Sequence, residues 1–329
     1  MQPSAQTLGE TRSAWFRRSA FAKIPPVFII LLGMVIVLSI ISPRSAEPSN
    51  LINLVRQGGP TGLVAIGQTA VMISGGLDLS VGSTVILADV MAAQMISGNP
   101  DRVIPVVLLV LAVGAGIGLV NGLLVTVLNV TPFIATLGSN FVVYGAALLY
   151  SGGTPRGDIP DNMRFWGNGF VAQIGTIQIP AAAVIWLIVT VITAIVFTRT
   201  NWGRRLVAVG ANRRAAYLSG VNTRRVTLLA YIFSGFMAAA GGLLLVAFVG
   251  VGTLEVGTDF LLASIAACVI GGTPFEGGRG SVWGTVGGVL FLMVLYSILT
   301  ALALPTSGRR IVEGIIILIA VALYARNRD

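Results

Sequence analysis

The chain has 329 residues, of which 55% are hydrophobic and 10% charged, with a formal net charge of +9. A soluble domain carries about 25% charged residues, so this composition, with a mean hydropathy of +0.90, excludes a soluble fold and fits the bilayer as solvent. With no histidine and one cysteine, Ser-His-Asp hydrolysis, His-ligated haem and most zinc sites are also excluded, and no catalytic, cofactor or metal site is expected.

Residues 1–24 are polar and basic, with Arg12, Arg17, Arg18 and the only lysine, Lys23. No Gly-x-x-x-x-Gly-Lys loop exists, so the chain cannot hydrolyse ATP by a P-loop mechanism. This segment reads as a cytoplasmic tail, followed by a membrane domain over 25–325 and a short tail at 326–329. A first span is predicted over residues 25–41, with 42–59 as an external loop containing Pro43, Pro48 and Asn50. A second span begins near Pro60 and runs into Gly75-Gly76-Leu77-Asp78-Leu79-Ser80-Val81-Gly82-Ser83. A carboxylate, hydroxyls and glycines between two short apolar runs mark a broken helix. Breaks at membrane depth are tolerated only where protein or a water-filled cavity covers the freed backbone groups.

The third span, 84–96, contains Asp89. The fourth, 103–120, offers Gly114, Gly116 and Gly118 as a smooth packing face and closes at Asn121-Gly122. The fifth covers 132–150, and a long polar stretch follows at 151–178. The sixth covers 179–197, and residues 198–225 are the most basic segment, with seven arginines. A seventh span at 226–249 and a short eighth at 260–270 lead to a second glycine-rich break, 271–280. The ninth and tenth spans cover 282–304 and 311–324. The expected fold is therefore all-α: a polytopic transmembrane helix bundle of about ten spans with two glycine-rich breaks.

Placing the N-terminus inside puts 14 Lys/Arg residues on inner segments and 7 on outer ones, so both termini are expected to be cytoplasmic. The positive charge then marks the inner membrane face and its lipid, and no nucleic-acid partner is expected. The two breaks echo each other: each leaves an apolar run with paired glycines, contains one acid and closes on Gly-Ser. Two related halves would produce this pattern, as in transporters built from repeats. Chance recurrence among 41 glycines is the other reading.

Four stretches together resemble the permease subunits of ATP-binding-cassette importers of the ribose/galactose type. They are Gly75 to Ser83; Pro132-Phe-Ile-Ala-Thr-Leu-Gly138; Trp202-Gly-Arg with Ala208-Val-Gly-Ala-Asn212 and Ala215 to Val221; and Ile270-Gly-Gly-Thr273 through Ser281 to Thr285. The resemblance covers about three-quarters of the chain. It implies a bacterial inner-membrane transport subunit rather than an enzyme. It also implies ATP hydrolysis on separate cytoplasmic subunits, a periplasmic solute-binding protein and a second permease, either a copy of this chain or a similar one. Asp89, Glu276 and Glu313 depart from the family pattern.

The same resemblance makes 198–225 the loop that receives the ATPase stroke, through Gly203, Arg204, Arg205, Gly210, Asn212, Ala215, Ala216, Ser219 and Gly220. The loop is patterned like a short helix, with Ala215, Ala216 and Leu218 able to dock in a groove; alternatively its arginines only fix topology. Asp78 either serves a pathway or partner, or, with Ser80, caps the helix starting at Val81. Asp89 is expected to bond to Asn121, Ser139 or Asn140. Asn121, Thr131, Phe133, Thr136, Asn140 and Tyr144 supply the uncharged polar and aromatic walls that suit a neutral monosaccharide or polyol, unless they are ordinary interhelical contacts. The alternatives are a permease for branched-chain amino acids or nucleosides and a stand-alone secondary transporter.

Overall fold

The computed structural model describes residues 25–316 apart from 176, 256, 306 and 313. Helices α1 (Val27–Ile41), α2 (Pro48–Ile73), α3 (Val81–Ile96), α4 (Val103–Thr126) and α5 (Pro132–Ser151) come first. A short helix α6 (Asp161–Asn168) and an antiparallel hairpin, β1 (Phe170–Ile174) with β2 (Ile177–Pro180), precede α7 (Ala181–Arg199). Then follow α8 (Asn201–Ala211), α9 (Arg213–Leu218), α10 (Thr223–Val249), α11 (Gly257–Ile270) and α12 (Val282–Ala301). Among the described residues, α4, α5, α7, α10 and α12 are each long and apolar enough to cross a membrane, and α1, α3 and α11 are shorter apolar helices. The chain is a polytopic helical membrane protein. Most of the expected tenth span, and Glu313 with it, lies outside the described residues, as do both tails.

Three boundaries differ from the sequence reading for identifiable reasons. The expected loop 42–59 is largely helix, because Pro48 sits in the first turn of α2, where its missing N–H costs nothing. Pro60 lies inside that helix, and neighbours cover the break in its ladder: Gly58 and Gly59 lie against Val289, Met293, Trp186 and Leu244. Asn121-Gly122 does not close α4, which continues to Thr126; both residues are buried in contacts with other helices. The polar stretch 151–178 is not featureless, since it folds into α6 and most of the hairpin.

Helix α10 is the centre of the bundle and packs against α2, α3, α4 and α6. Its tightest contact is with α4. A Cβ on Gly118 would lie 2.1 Å from the Tyr231 carbonyl oxygen, and one on Gly235 would lie 2.2 Å from that of Gly114. The packing face is therefore Gly114, Gly118 and Gly122, one turn apart, whereas Gly116 has nothing within 4 Å. Alternate residues point to different sides of a helix, which is why the expected 114/116/118 face is not the one used. The outer faces of α1, α5 and α7 expose large apolar side chains, including Ile29, Phe141, Leu149 and Leu187; lipid is the solvent that suits them.

The loops at 97–102, 152–160 and 250–255 share one end of the bundle, here the hairpin end, where Gly98 N–H donates to the Asp158 carbonyl and Ile159 N–H to that of Gly250. The opposite, arginine-rich end carries α8 and α9. Gly118→Val should crowd the α4–α10 contact at a cost of about 1–3 kcal/mol and lower the unfolding temperature of the detergent-solubilised chain, while Gly116→Val should leave it unchanged. Equal melting of the two variants would refute this packing.

Candidate functional site

Helix α2 ends because Gly75 adopts a left-handed conformation, φ +80°, that an L side chain adopts only with strain. Gly75 N–H donates to the Met72 carbonyl (2.9 Å) and Gly76 N–H to that of Val71 (3.0 Å), which closes the helix in a Schellman turn. The second break is built the same way. Gly272 has φ +88°, its N–H donates to Val269 (2.9 Å), and Thr273 N–H donates to Cys268 (2.8 Å).

The restarts match as well. Thr84 donates its N–H (2.9 Å) and hydroxyl (2.8 Å) to the Ser80 carbonyl; Thr285 donates the same groups to Ser281, at 2.9 and 3.3 Å. The echo in sequence thus has a counterpart in backbone geometry.

Between stop and restart, residues 77–80 are unwound inside the bundle. A buried backbone polar group without a partner is costly, and side chains from three helices supply partners here. The Leu77 carbonyl accepts from the Tyr231 hydroxyl of α10 (3.2 Å) and from Thr136 Oγ1 of α5 (3.3 Å), which also bonds Pro132 of its own helix (2.8 Å). Asp78 Oδ1 accepts Ser80 N–H (3.0 Å) and Ser80 Oγ–H (2.7 Å), while Oδ2 accepts Ser234 Oγ–H of α10 (2.8 Å). Ser80 Oγ in turn accepts from Asn121 Nδ2 of α4 (2.8 Å). Asp78, Asn121, Thr136, Tyr231 and Ser234 are each 0% exposed.

This network decides between the two readings of Asp78. It has a partner, Ser234, and it does not cap α3: the N–H it accepts belongs to Ser80, the residue before the helix, and Ser80 makes no side-chain cap. Of the residues singled out from the sequence, Asp78, Ser80, Asn121 and Thr136 come together. Phe133 does not, being 56% exposed on the surface of α5. Tyr231 and Ser234 were missed; nothing in an apolar helix more than 150 residues away marks them as partners of a loop.

Asn140, one turn beyond Thr136, faces a cavity of about 1040 Å³ between α3, α5, residues 153–155, residues 253–255 and the start of α11. Its polar lining comes from Ser83, Asn140, Tyr144, Thr154, Thr253 and Glu255, with no lysine or arginine. One wall, the non-helical residues 252–255 and the start of α11, runs back along α3. Gly252 lies against Val90 and Ala93, Thr253 donates its N–H and hydroxyl to the Asp89 carboxylate, and Gly257 lies against Gly82 and Ile86. Asp89 is therefore bonded to Thr253 and not to Asn121, Ser139 or Asn140. A loop with free N–H groups was the better donor, and it lies 164 residues away in sequence.

The basic segment is two helices rather than one. Thr200 caps α8 by accepting Gly203 N–H (3.4 Å), Arg204 bonds Asn201 Oδ1 (2.6 Å), and Asn212 caps α9 by accepting Ala215 N–H (2.9 Å). Gly203 is required by close approach, because a Cβ there would lie 2.0 Å from the Phe197 carbonyl oxygen. Arg205, Ala215 and Ser219 are exposed, and Gly220 ends α9 with φ +80°. Ala216 is buried among Leu206, Val209 and Val226 and so cannot dock outward. The outward apolar pair is Tyr217 (68% exposed) and Leu218 (76%), of which only Leu218 was anticipated. Gly210 points inward, against Ile73 and Gly278.

A family model described as the branched-chain amino acid transport system / permease component matches residues 50–321. The chain belongs to this permease family. It is 35% identical over 320 residues to the galactose/methyl galactoside import permease protein of Salmonella typhimurium, covering 92% of this chain and 95% of that one. It is 37% identical over 298 residues to the ribose import permease protein of Bacillus subtilis, covering 90% and 91%. No solved structure matches it.

Asp78→Ala should leave Ser80 and Ser234 without their acceptor inside the permease and cost at least about 2 kcal/mol, since each orphaned buried group costs roughly 1–3 kcal/mol. Asp78→Asn keeps an acceptor for Ser80 and should lose less. Thermal unfolding in detergent should rank wild type above Asn above Ala; indistinguishable midpoints would show that the clamp is not structural.

Proposed function

We propose that this chain is the membrane permease subunit of an ATP-driven bacterial importer, forming the pathway for a neutral monosaccharide or similar polyol. The observation that carries this reading is the identity to galactose and ribose import permeases over about nine-tenths of the chain. The cavity supports the same substrate class. Its hydroxyl, amide and phenol groups and the Glu255 carboxylate can all hydrogen-bond a hydroxylated solute, and without a lysine or arginine it offers an amino acid's carboxylate no counter-charge.

The arginine-rich end is cytoplasmic by the positive-inside rule, and with it both termini and the multi-pass orientation in the inner membrane. ATP-binding subunits then dock on α8 and α9, where Tyr217 and Leu218 stand exposed beside Arg213 and Arg214. A periplasmic binding protein delivers the solute at the hairpin end, and a second permease copy completes the pathway. Helices α8 and α9 convert nucleotide-driven closure of the ATPase into rocking of the bundle.

The test is uptake of labelled ribose and galactose into proteoliposomes holding the permease and its ATP-binding subunits, with the binding protein supplied on the hairpin side. Accumulation should require ATP and the binding protein. Uptake by the chain alone on an ion gradient, or uptake of leucine instead of sugars, would contradict the proposal. Leu218→Asp, on an exposed position, should abolish co-purification of the ATP-binding subunits while leaving the unfolding temperature of the permease unchanged.

A further inference from the structure

Three distant pieces of backbone meet at the arginine-rich end with no side chain between them. The last carbonyl of α2, at Ile73, has no partner within its helix, as at any helix end; here it accepts Gly278 N–H of the second break, at 2.9 Å. The last turn of α8 closes over this bond. A Cβ on Gly210 would lie 1.9 Å from the Ile73 oxygen and 2.4 Å from Gly278 N, and one on Gly278 would lie 2.6 Å from Ala211 Cα. The breaks also touch directly, since a Cβ on Gly277 would lie 2.6 Å from Gly75 N.

Side-chain contacts can absorb a displacement by changing rotamer. Backbone pressed on backbone cannot, because close-packed interiors move as units or not at all. A push on α9 passes to α8 through the Asn212 cap and arrives at Gly210. There it meets both breaks at once, and each break is tied to the helix that follows it, α3 through the Ser80 carbonyl, which accepts from Thr84, and α12 through Ser281, whose Oγ accepts Gly284 N–H (3.3 Å).

We propose that Gly210 is a positioning residue for transport, holding α8, the Ile73–Gly75 turn and the Gly277–Gly278 turn as one rigid body through which the ATPase stroke reaches both helix breaks together. This rests on the functional reading above, that α8 and α9 receive the stroke.

Two variants drive a wedge into the junction, Gly210→Ala and Gly277→Ala. Gly272→Ala is the matched control: its φ of +88° carries the same left-handed strain as the +79° of Gly277, but a Cβ there has nothing within 4 Å. Each is assembled with the ATP-binding subunits, and sugar uptake is divided by ATP hydrolysed. The wedged complexes should transport at least about fivefold less per ATP, the lower end of the range for couplings between distant sites, while Gly272→Ala should match wild type. Wild-type ratios in both wedged complexes, or an equal loss in Gly272→Ala, would overturn the proposal. A wild-type complex that moves no sugar would overturn the functional reading along with it.

Hydrogen exchange on the wild-type complex tests the same body without any variant. Peptides spanning 274–281 should exchange equally slowly with and without a non-hydrolysable ATP analogue, because the Gly278–Ile73 bond stays closed. Faster exchange on nucleotide binding would overturn it.

Discussion

Unwound backbone buried within a helix bundle must find its hydrogen bonds in side chains, and residues 77–80 are organised by that requirement. Left in hydrocarbon, each free group would cost several kcal/mol, and a lone carboxylate about 2.5–3.5 kcal/mol on insertion scales. A continuous helix would avoid both costs. The chain instead commits Asn121, Thr136, Tyr231 and Ser234, from α4, α5 and α10, to one four-residue stretch. The break consequently fixes the mutual positions of those helices, and α10 can act as the centre of the bundle partly because two of its polar groups are anchored there.

The second break repeats the first in its glycine turn and its threonine-closed restart but differs between them. Four more residues separate its left-handed glycine from its serine (Gly272 to Ser281 against Gly75 to Ser80). That extra chain is what reaches across to Ile73 and Gly210. The two breaks are thus alike where helices stop and start, and unlike where one touches the other. The polar cavity lies on the far side of this arrangement, walled by α3, α5, residues 253–255 and the start of α11.

Much of this was legible in the sequence. Composition excluded a soluble fold, glycines and acids located both breaks, and ordered motifs pointed to the permease family. What stayed hidden has physical causes. Pro60 reads as a helix start because proline usually punctuates, yet inside a membrane bundle neighbours cover the lost hydrogen bond. Asn121-Gly122 reads as a turn, yet Asn121 is drawn inward by Ser80 and Gly122 by contact with Leu228. Asp89 finds Thr253, and Asp78 finds Ser234, across sequence separations that no local pattern encodes. In the basic segment, helical spacing could not tell the buried Ala216 from the exposed Tyr217 beside it.

A polar clamp buried at Asp78 and Ser80 lies beside the cavity at Asn140 and Tyr144, about one and two helical turns along α5 from Thr136. Cysteine labelling measures that boundary directly, since the native Cys268 is fully buried. A membrane-impermeant maleimide added at the hairpin end should modify Asn140→Cys and Tyr144→Cys in the folded permease, and should leave Ser80→Cys and Ser234→Cys unmodified until the protein is denatured. Modification of Ser80→Cys as fast as Tyr144→Cys, or no modification at either cavity position, would contradict it.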